Sequence, residues 1–123
     1  MAISEAEAIV METLWREAPR SAEEIVAEVG PTQSWQAGTV KSLLNRLLRK
    51  RAVKAVRDGR RYLYSPVLSR KQYVMHESKG LLDRLFEGRV APLVAHFSEQ
   101  RKLSRKDVAE LKRLIEELDD GCD

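Results

Sequence analysis

The chain has little of several things that mark common protein classes. Cys122 is its only cysteine, so no internal disulfide can form, which suits a reducing compartment. It has no apolar run of about 18 residues, the length a membrane-spanning helix needs. The opening residues, MAISEAEAIV, lack the basic segment and apolar core of a secretory signal, so the cytoplasm is the expected location. His76 and His96 stand far apart without clustered acids or cysteines, too thin a donor set for a metal, and they read as surface or partly buried helix histidines. There is no nucleophile elbow, P-loop or Gly-rich phosphate cradle. Neither an enzyme nor a bound cofactor is therefore expected, and no internal repeat or low-complexity segment appears.

What is present is a folded composition, 43% hydrophobic and 33% charged, with its charge sorted along the chain. Net charge is only +3, yet Lys41 to Lys71 holds eleven basic residues and one acid, Asp58. Residues 1–40 hold two basic residues and seven acids. At 123 residues the chain can make a small domain with an appended helical piece, and a second core shared in a dimer would help it.

Capping boxes at Ser4–Glu7, Ser21–Glu24, Ser69–Gln72 and Ser104–Asp107 announce helix starts. Val10, Met11, Leu14 and Trp15 follow the first box at helical spacing, and Pro19 closes that segment. Ile25, Val26 and Val29 follow the second, closed by Gly30-Pro31. A third helix carries Val40, Leu43, Leu44, Leu47 and Leu48 on one face. Its other face holds Thr39, Lys41, Ser42, Asn45, Arg46 and Arg49. The period then shifts to two in VKAVRDGRRYLYS, a hairpin about Asp58-Gly59. That turn sets Arg57 opposite Arg60, Ala55 opposite Tyr62 and Val53 opposite Tyr64. Facing arginines repel, at a cost of a few tenths of a kcal/mol, unless a phosphate lies between them. Trp15 and Trp35 read as core anchors. Tyr62 and Tyr64 read as packed under the hairpin, one of them able to lean on a sugar-phosphate.

Three helices followed by a two-stranded hairpin is the order of a winged helix-turn-helix, whose third helix enters the DNA major groove. The fold expected is mainly α with a small β-hairpin wing, residues 1–68 forming the DNA-binding domain and 69–123 a helical dimerisation region. A basic helix face alone is as readily just solvated. Helix and hairpin in this order, both basic, point to duplex DNA, with Arg57, Arg60 and Arg61 of the wing on phosphates. A rival reading is an anti-sigma-like adaptor whose basic face meets an acidic protein; base preference among duplexes separates the two.

Residues 69–123 read as helical with breaks near Gly88 and Ser104. Leu81, Leu82, Leu85 and Phe86 form one apolar patch, and Val90, Leu93, Val94 and Phe97 another. Val108, Leu111, Ile115 and Leu118 make a short heptad-like seam suited to a partner helix. These patches are assigned to a two-fold dimer interface.

The segments ISEAEAIVMETLW, SAEEIVAEV, TVKSLLNRLLRKRAV, GRRYLYSPVLSRKQY and LLDRLFEGRVAPLVAHF together resemble the BlaI/MecI/CopY family of penicillinase-type transcriptional repressors. The resemblance runs in collinear order from about Ile3 to Leu118. It implies a homodimeric repressor that binds a palindromic operator and is released by a signal, in some members a cut by a sensor protease. The chain departs from that pattern in three places. Where the family enters its recognition helix with Trp-Ser-Pro-Lys-Thr, this chain has Trp35-Gln36-Ala37-Gly38-Thr39, which removes a cap and an N1 proline. Cys122 stands alone where copper-responsive members carry Cys-x-Cys pairs. His96-Phe97 stands where inducible members are cut at Asn-Phe.

Overall fold

The computed structural model describes residues 2–121; Cys122 lies outside them. Its elements are α1 (Glu5–Arg16), β1 (Arg20–Ser21), α2 (Ala22–Gln33), α3 (Ala37–Arg49), β2 (Val53–Asp58), β3 (Arg61–Pro66), α4 (Arg70–Leu85), α5 (Val90–Glu99) and α6 (Arg105–Gly121). All four capping boxes form, with both reciprocal hydrogen bonds at Ser4, Ser21, Ser69 and Ser104 between 2.9 and 3.2 Å. The helix after Gln36 starts without a side-chain cap, as the loss of serine and proline there implies. No helix among the described residues is long and apolar enough to cross a membrane.

The chain divides into two compact units, one ending at Met75 and the other beginning at His76. The division falls inside α4 rather than ahead of it. The first turns of α4 belong to the first unit because Tyr73 packs on the Trp15 ring, centroids 5.4 Å apart. The Trp15 indole also donates to the Leu68 carbonyl at 2.9 Å.

In the first unit α1, α2 and α3 enclose a core of Val10, Met11, Leu14, Ile25, Val29, Val40, Leu43, Leu44 and Leu47, with Ala52 and Val53 from the strand side. Trp15 and Trp35 pack on its margin. The sheet has three strands in the order β1-β3-β2, all antiparallel, where a two-stranded hairpin was expected. The added strand is two residues long, and its Ser21 also caps α2.

Two further expectations are corrected. Helix α2 does not stop at Gly30-Pro31 but continues to Gln33 and closes at Ser34 in the left-handed region, φ 58°. Pro31 lies inside this helix and removes one of its i→i−4 hydrogen bonds. Gly30 is buried there, and a Cβ on it would lie 3.2 Å from the Trp35 carbonyl oxygen, whose own amide donates back to Gly30 O at 3.1 Å. The hairpin turn is Gly59-Arg60, not Asp58-Gly59. Arg57 therefore faces Tyr62, Asp58 faces Arg61, Ala55 faces Tyr64 and Val53 faces Pro66. This register removes the Arg57–Arg60 repulsion and gives Gly59 (φ +65°) the first turn position, where a II′ turn takes glycine. The slip is two residues, so no side chain changes face.

A buried carboxylate pairs α1 with the end of α3. Glu7 is buried, and its Oε1 accepts from Lys50 Nζ at 2.6 Å and from the Ser4 amide at 2.9 Å. Glu7 Oε2 is buried without a hydrogen-bond partner among the described residues. Burial pushes the carboxyl pKa up, but the Lys50 and Ser4 hydrogen bonds outweigh it and hold the group below its ordinary 4.5. A carboxyl depressed on folding stabilises the protein above its unfolded-state value and ceases to do so as pH falls through the folded one. Wild-type stability should therefore decline below about pH 4.5, and Glu7→Gln should flatten part of that decline. At neutral pH the substitution should cost about 1 kcal/mol, limited by the partial solvent access of Lys50. Urea midpoints from pH 7 down to 3 check both statements.

In the second unit, from His76 to Asp120, no side chain is buried. Helices α5 and α6 line a groove with Leu93, Val94, Phe97, Leu103, Leu111 and Leu114. Leu85, Val90, Ile115 and Leu118 are each more than half exposed. His76 is exposed in α4, and His96 stacks between Phe86 and Phe97 at centroid distances of 6.1 and 5.5 Å.

Candidate nucleic-acid interface

Burial of Val40, Leu43, Leu44 and Leu47 fixes the rotation of α3 about its axis. At 3.6 residues per turn, Gly38, Ser42, Asn45 and Arg49 then run along the middle of the solvent face. Lys41 lies on one flank, and Thr39 and Arg46 on the other. All of these are exposed, as the sequence pattern required. None of the basic ones has an ion-pair partner among the described residues.

The Lys41 flank faces the wing. Lys41 and Asn45 line one groove with Arg60, Arg61, Tyr62 and Tyr64 of the wing and Ala22 and Glu23 of α2, enclosing about 250 Å³. Of the residues assigned to DNA from the sequence, the structure gathers Lys41, Asn45, Arg60 and Arg61 here; Thr39, Ser42, Arg46, Arg49 and Arg57 lie outside the groove.

The three wing arginines are not equivalent. Arg60 sits in the turn and is free of ion pairs among the described residues. Arg61 reaches Asp58 at 3.5 Å and Glu24 at 3.9 Å. Arg57 donates from Nε to the Gly59 carbonyl at 3.1 Å, which braces the turn. The Glu24 carboxyl is held below its ordinary value by the Ser21 backbone amide and then by the Ser21 hydroxyl, so it stays charged beside Arg61.

Ala22 and Glu23 were not among the residues assigned from the sequence, and Tyr62 and Tyr64 entered there as packing residues, one of them able to lean on a sugar-phosphate. The Ser21 box places Glu23 in the first turn of α2, but only the pairing of β1 with β3 brings that turn beside the wing. Tyr64 is half-buried against the core, whereas Tyr62 is 50% exposed. Burial first, then Tyr62 and Glu23 beside it, push the Tyr64 hydroxyl above its ordinary value, so it keeps its proton at neutral pH. The arrangement presents cations and hydroxyl donors on one face, the chemistry that binds a phosphate backbone.

A family model described as penicillinase repressor matches residues 3–117. A penicillinase repressor of Bacillus licheniformis is 30% identical over 115 residues, which cover 94% of this chain and 90% of that protein. Among solved structures, the DNA-binding domain of the repressor BlaI superposes with a TM-score of 0.54 at 31% identity, covering 58% of this chain and 87% of that one. The Bacillus licheniformis BlaI monomer in complex with the blaP half-operator superposes with a TM-score of 0.53 at 30% identity, covering 59% and 89%.

Proposed function

We propose, since the chain belongs to the penicillinase repressor family, that it binds a palindromic operator as a homodimer and leaves it when the dimer is lost. The family is one of DNA-binding transcriptional repressors, not of enzymes. The observation that carries the DNA reading is the exposed face of α3, which holds Lys41, Ser42, Asn45, Arg46 and Arg49 and no acid, with Lys41 and Asn45 meeting Arg60 and Arg61 of the wing. Thr39 and Ser42 are short enough for close contact with bases or phosphates; Arg46 and Asn45 suit bidentate reading of guanine and adenine. Arg60 and Arg61 position the protein on the backbone, and Arg57 acts there through the turn it braces.

The dimer reading is supported by the second unit's lack of any buried side chain between His76 and Asp120. Leu81, Leu82, Leu85, Phe86, Val90, Leu93, Val94, Phe97, Val108, Leu111, Ile115 and Leu118 would supply the shared core, with the repressor acting in the cytoplasm. Release would follow from a signal that splits the dimer. A sensor protease cutting at His96-Phe97 is one such signal, and since that bond lies within α5 the helix would have to unwind first.

Selection of bound duplexes from a random library tests the operator reading: a two-fold symmetric sequence should emerge. Against that sequence Arg46→Ala should lose about 1–3 kcal/mol and relax preference at one position in each half-site, with stability unchanged. Arg60→Gln should weaken all duplexes alike and lower the salt slope by about one. Recovery of no preferred sequence would leave the adaptor reading in its place.

A further inference from the structure

Resting on the DNA reading above, we infer that the groove between α3 and the wing takes one backbone phosphate, with the Tyr62 and Tyr64 hydroxyls as donors and Glu23 as a built-in counter-charge. Two features of the groove point the same way. Lys41, Arg60 and Arg61 converge on it, and Lys41 and Arg60 have no ion-pair partner among the described residues, since Asp58 and Glu24 engage only Arg61. Both tyrosine hydroxyls are without a hydrogen-bond partner among the described residues, although Tyr64 is half-buried. A hydroxyl that reaches solvent and has no partner in its own chain can donate to an acceptor entering the groove. An anion in the groove would accept from it.

The ligand class follows from the donor set. A phosphodiester offers two unesterified oxygens with one charge between them, and it can accept from neutral and charged donors together. A base edge would not use so many cations. Glu23 is the single acid lining the groove, and it opposes any anion placed there. Its presence lowers the hold on phosphate without removing the cations, which limits how tightly the wing grips DNA of any sequence.

The test uses the full chain, a labelled duplex of scrambled sequence and the selected operator, each titrated at several salt concentrations. Tyr62→Phe should weaken binding to both duplexes by about tenfold or more, the loss of one hydrogen bond to a charged acceptor. Because a neutral donor releases no counterion, its salt slope should match wild type, unlike that of Arg60→Gln. Thermal unfolding should not move, since the hydroxyl has no partner in the free protein. Glu23→Gln should act in the opposite sense, tightening both duplexes several-fold and steepening the slope by up to about one. Wild-type affinity in both Tyr62→Phe and the Tyr62→Phe/Tyr64→Phe double variant overturns the inference, as does a loss confined to one sequence or weaker binding by Glu23→Gln. Absence of duplex binding by the wild-type chain itself would instead overturn the DNA reading, and the groove assignment with it.

Discussion

Truncated after His96, the protein should sediment as a monomer and bind a two-half-site operator about a hundredfold or more weakly than the intact chain. The cut removes Phe97 and all of α6, and with them Val108, Leu111, Ile115 and Leu118. Ile115 is 57% exposed and Leu118 69% exposed, so the C-terminal half of the α6 seam is largely uncovered among the described residues. Helices without a fully buried side chain have little hydrophobic free energy to hold them, at about 25 cal/mol per Å² of apolar area. A second copy laid on the same seam would provide it. On the proposed dimer the second half-site contact is intramolecular, and typical gains from that linkage are about 10²–10⁴. The recognition unit itself should survive the cut, because its core lies between Ile3 and Val53. Affinity for an isolated half-site should then stay within about twofold of that of the intact chain. Sedimentation velocity and operator titration on the same preparation decide it. A truncated chain that remains dimeric, or that holds the full operator as tightly as before, sinks the dimer proposal.

Leu44→Ala should cost about 2–5 kcal/mol of stability, the range for emptying a fully enclosed leucine site. Leu44 has no solvent-accessible surface and lies at the centre of the α3 stripe, between Val40 and Leu47, which are equally buried. A domain of this size is stable by only about 5–15 kcal/mol. Losing that much should lower the urea midpoint sharply and, at 37 °C, the fraction of chain able to bind DNA. Operator binding measured at low temperature, with the fold intact, should be far less affected. Arg46→Ala should behave in the reverse way, with affinity reduced and the urea midpoint unchanged. The pair of variants separates holding the recognition helix in place from reading DNA with it.

Much of this architecture was legible before any coordinates, for reasons that are local. A capping box needs residues three apart, and all four serine boxes formed. The amphipathic stripe of α3 needs residues three and four apart, and it fixed both the buried face and the exposed basic face. Sorting of charge along the chain then marked the basic side without any tertiary information.

Features that failed or were missed depend on partners distant in sequence. Gly30-Pro31 reads as a helix stop, yet α2 runs on because Trp35 folds back over Gly30. Asp58-Gly59 reads as a turn, yet the strands slide two residues so that Asp58 meets Arg61 instead of arginine facing arginine. Strand β1 is too short to carry any period, and it exists only because β3 offers it an edge. The Glu7–Lys50 pair spans 43 residues of sequence. The groove likewise joins Glu23, Lys41 and Tyr62 from three elements. Periodicity and capping act within one or two turns, so the sequence sets where helices begin, which face each buries and which side is basic. Which donors meet around one phosphate-sized space depends on strand register and helix docking, and those are settled by packing among residues that only the folded chain brings together.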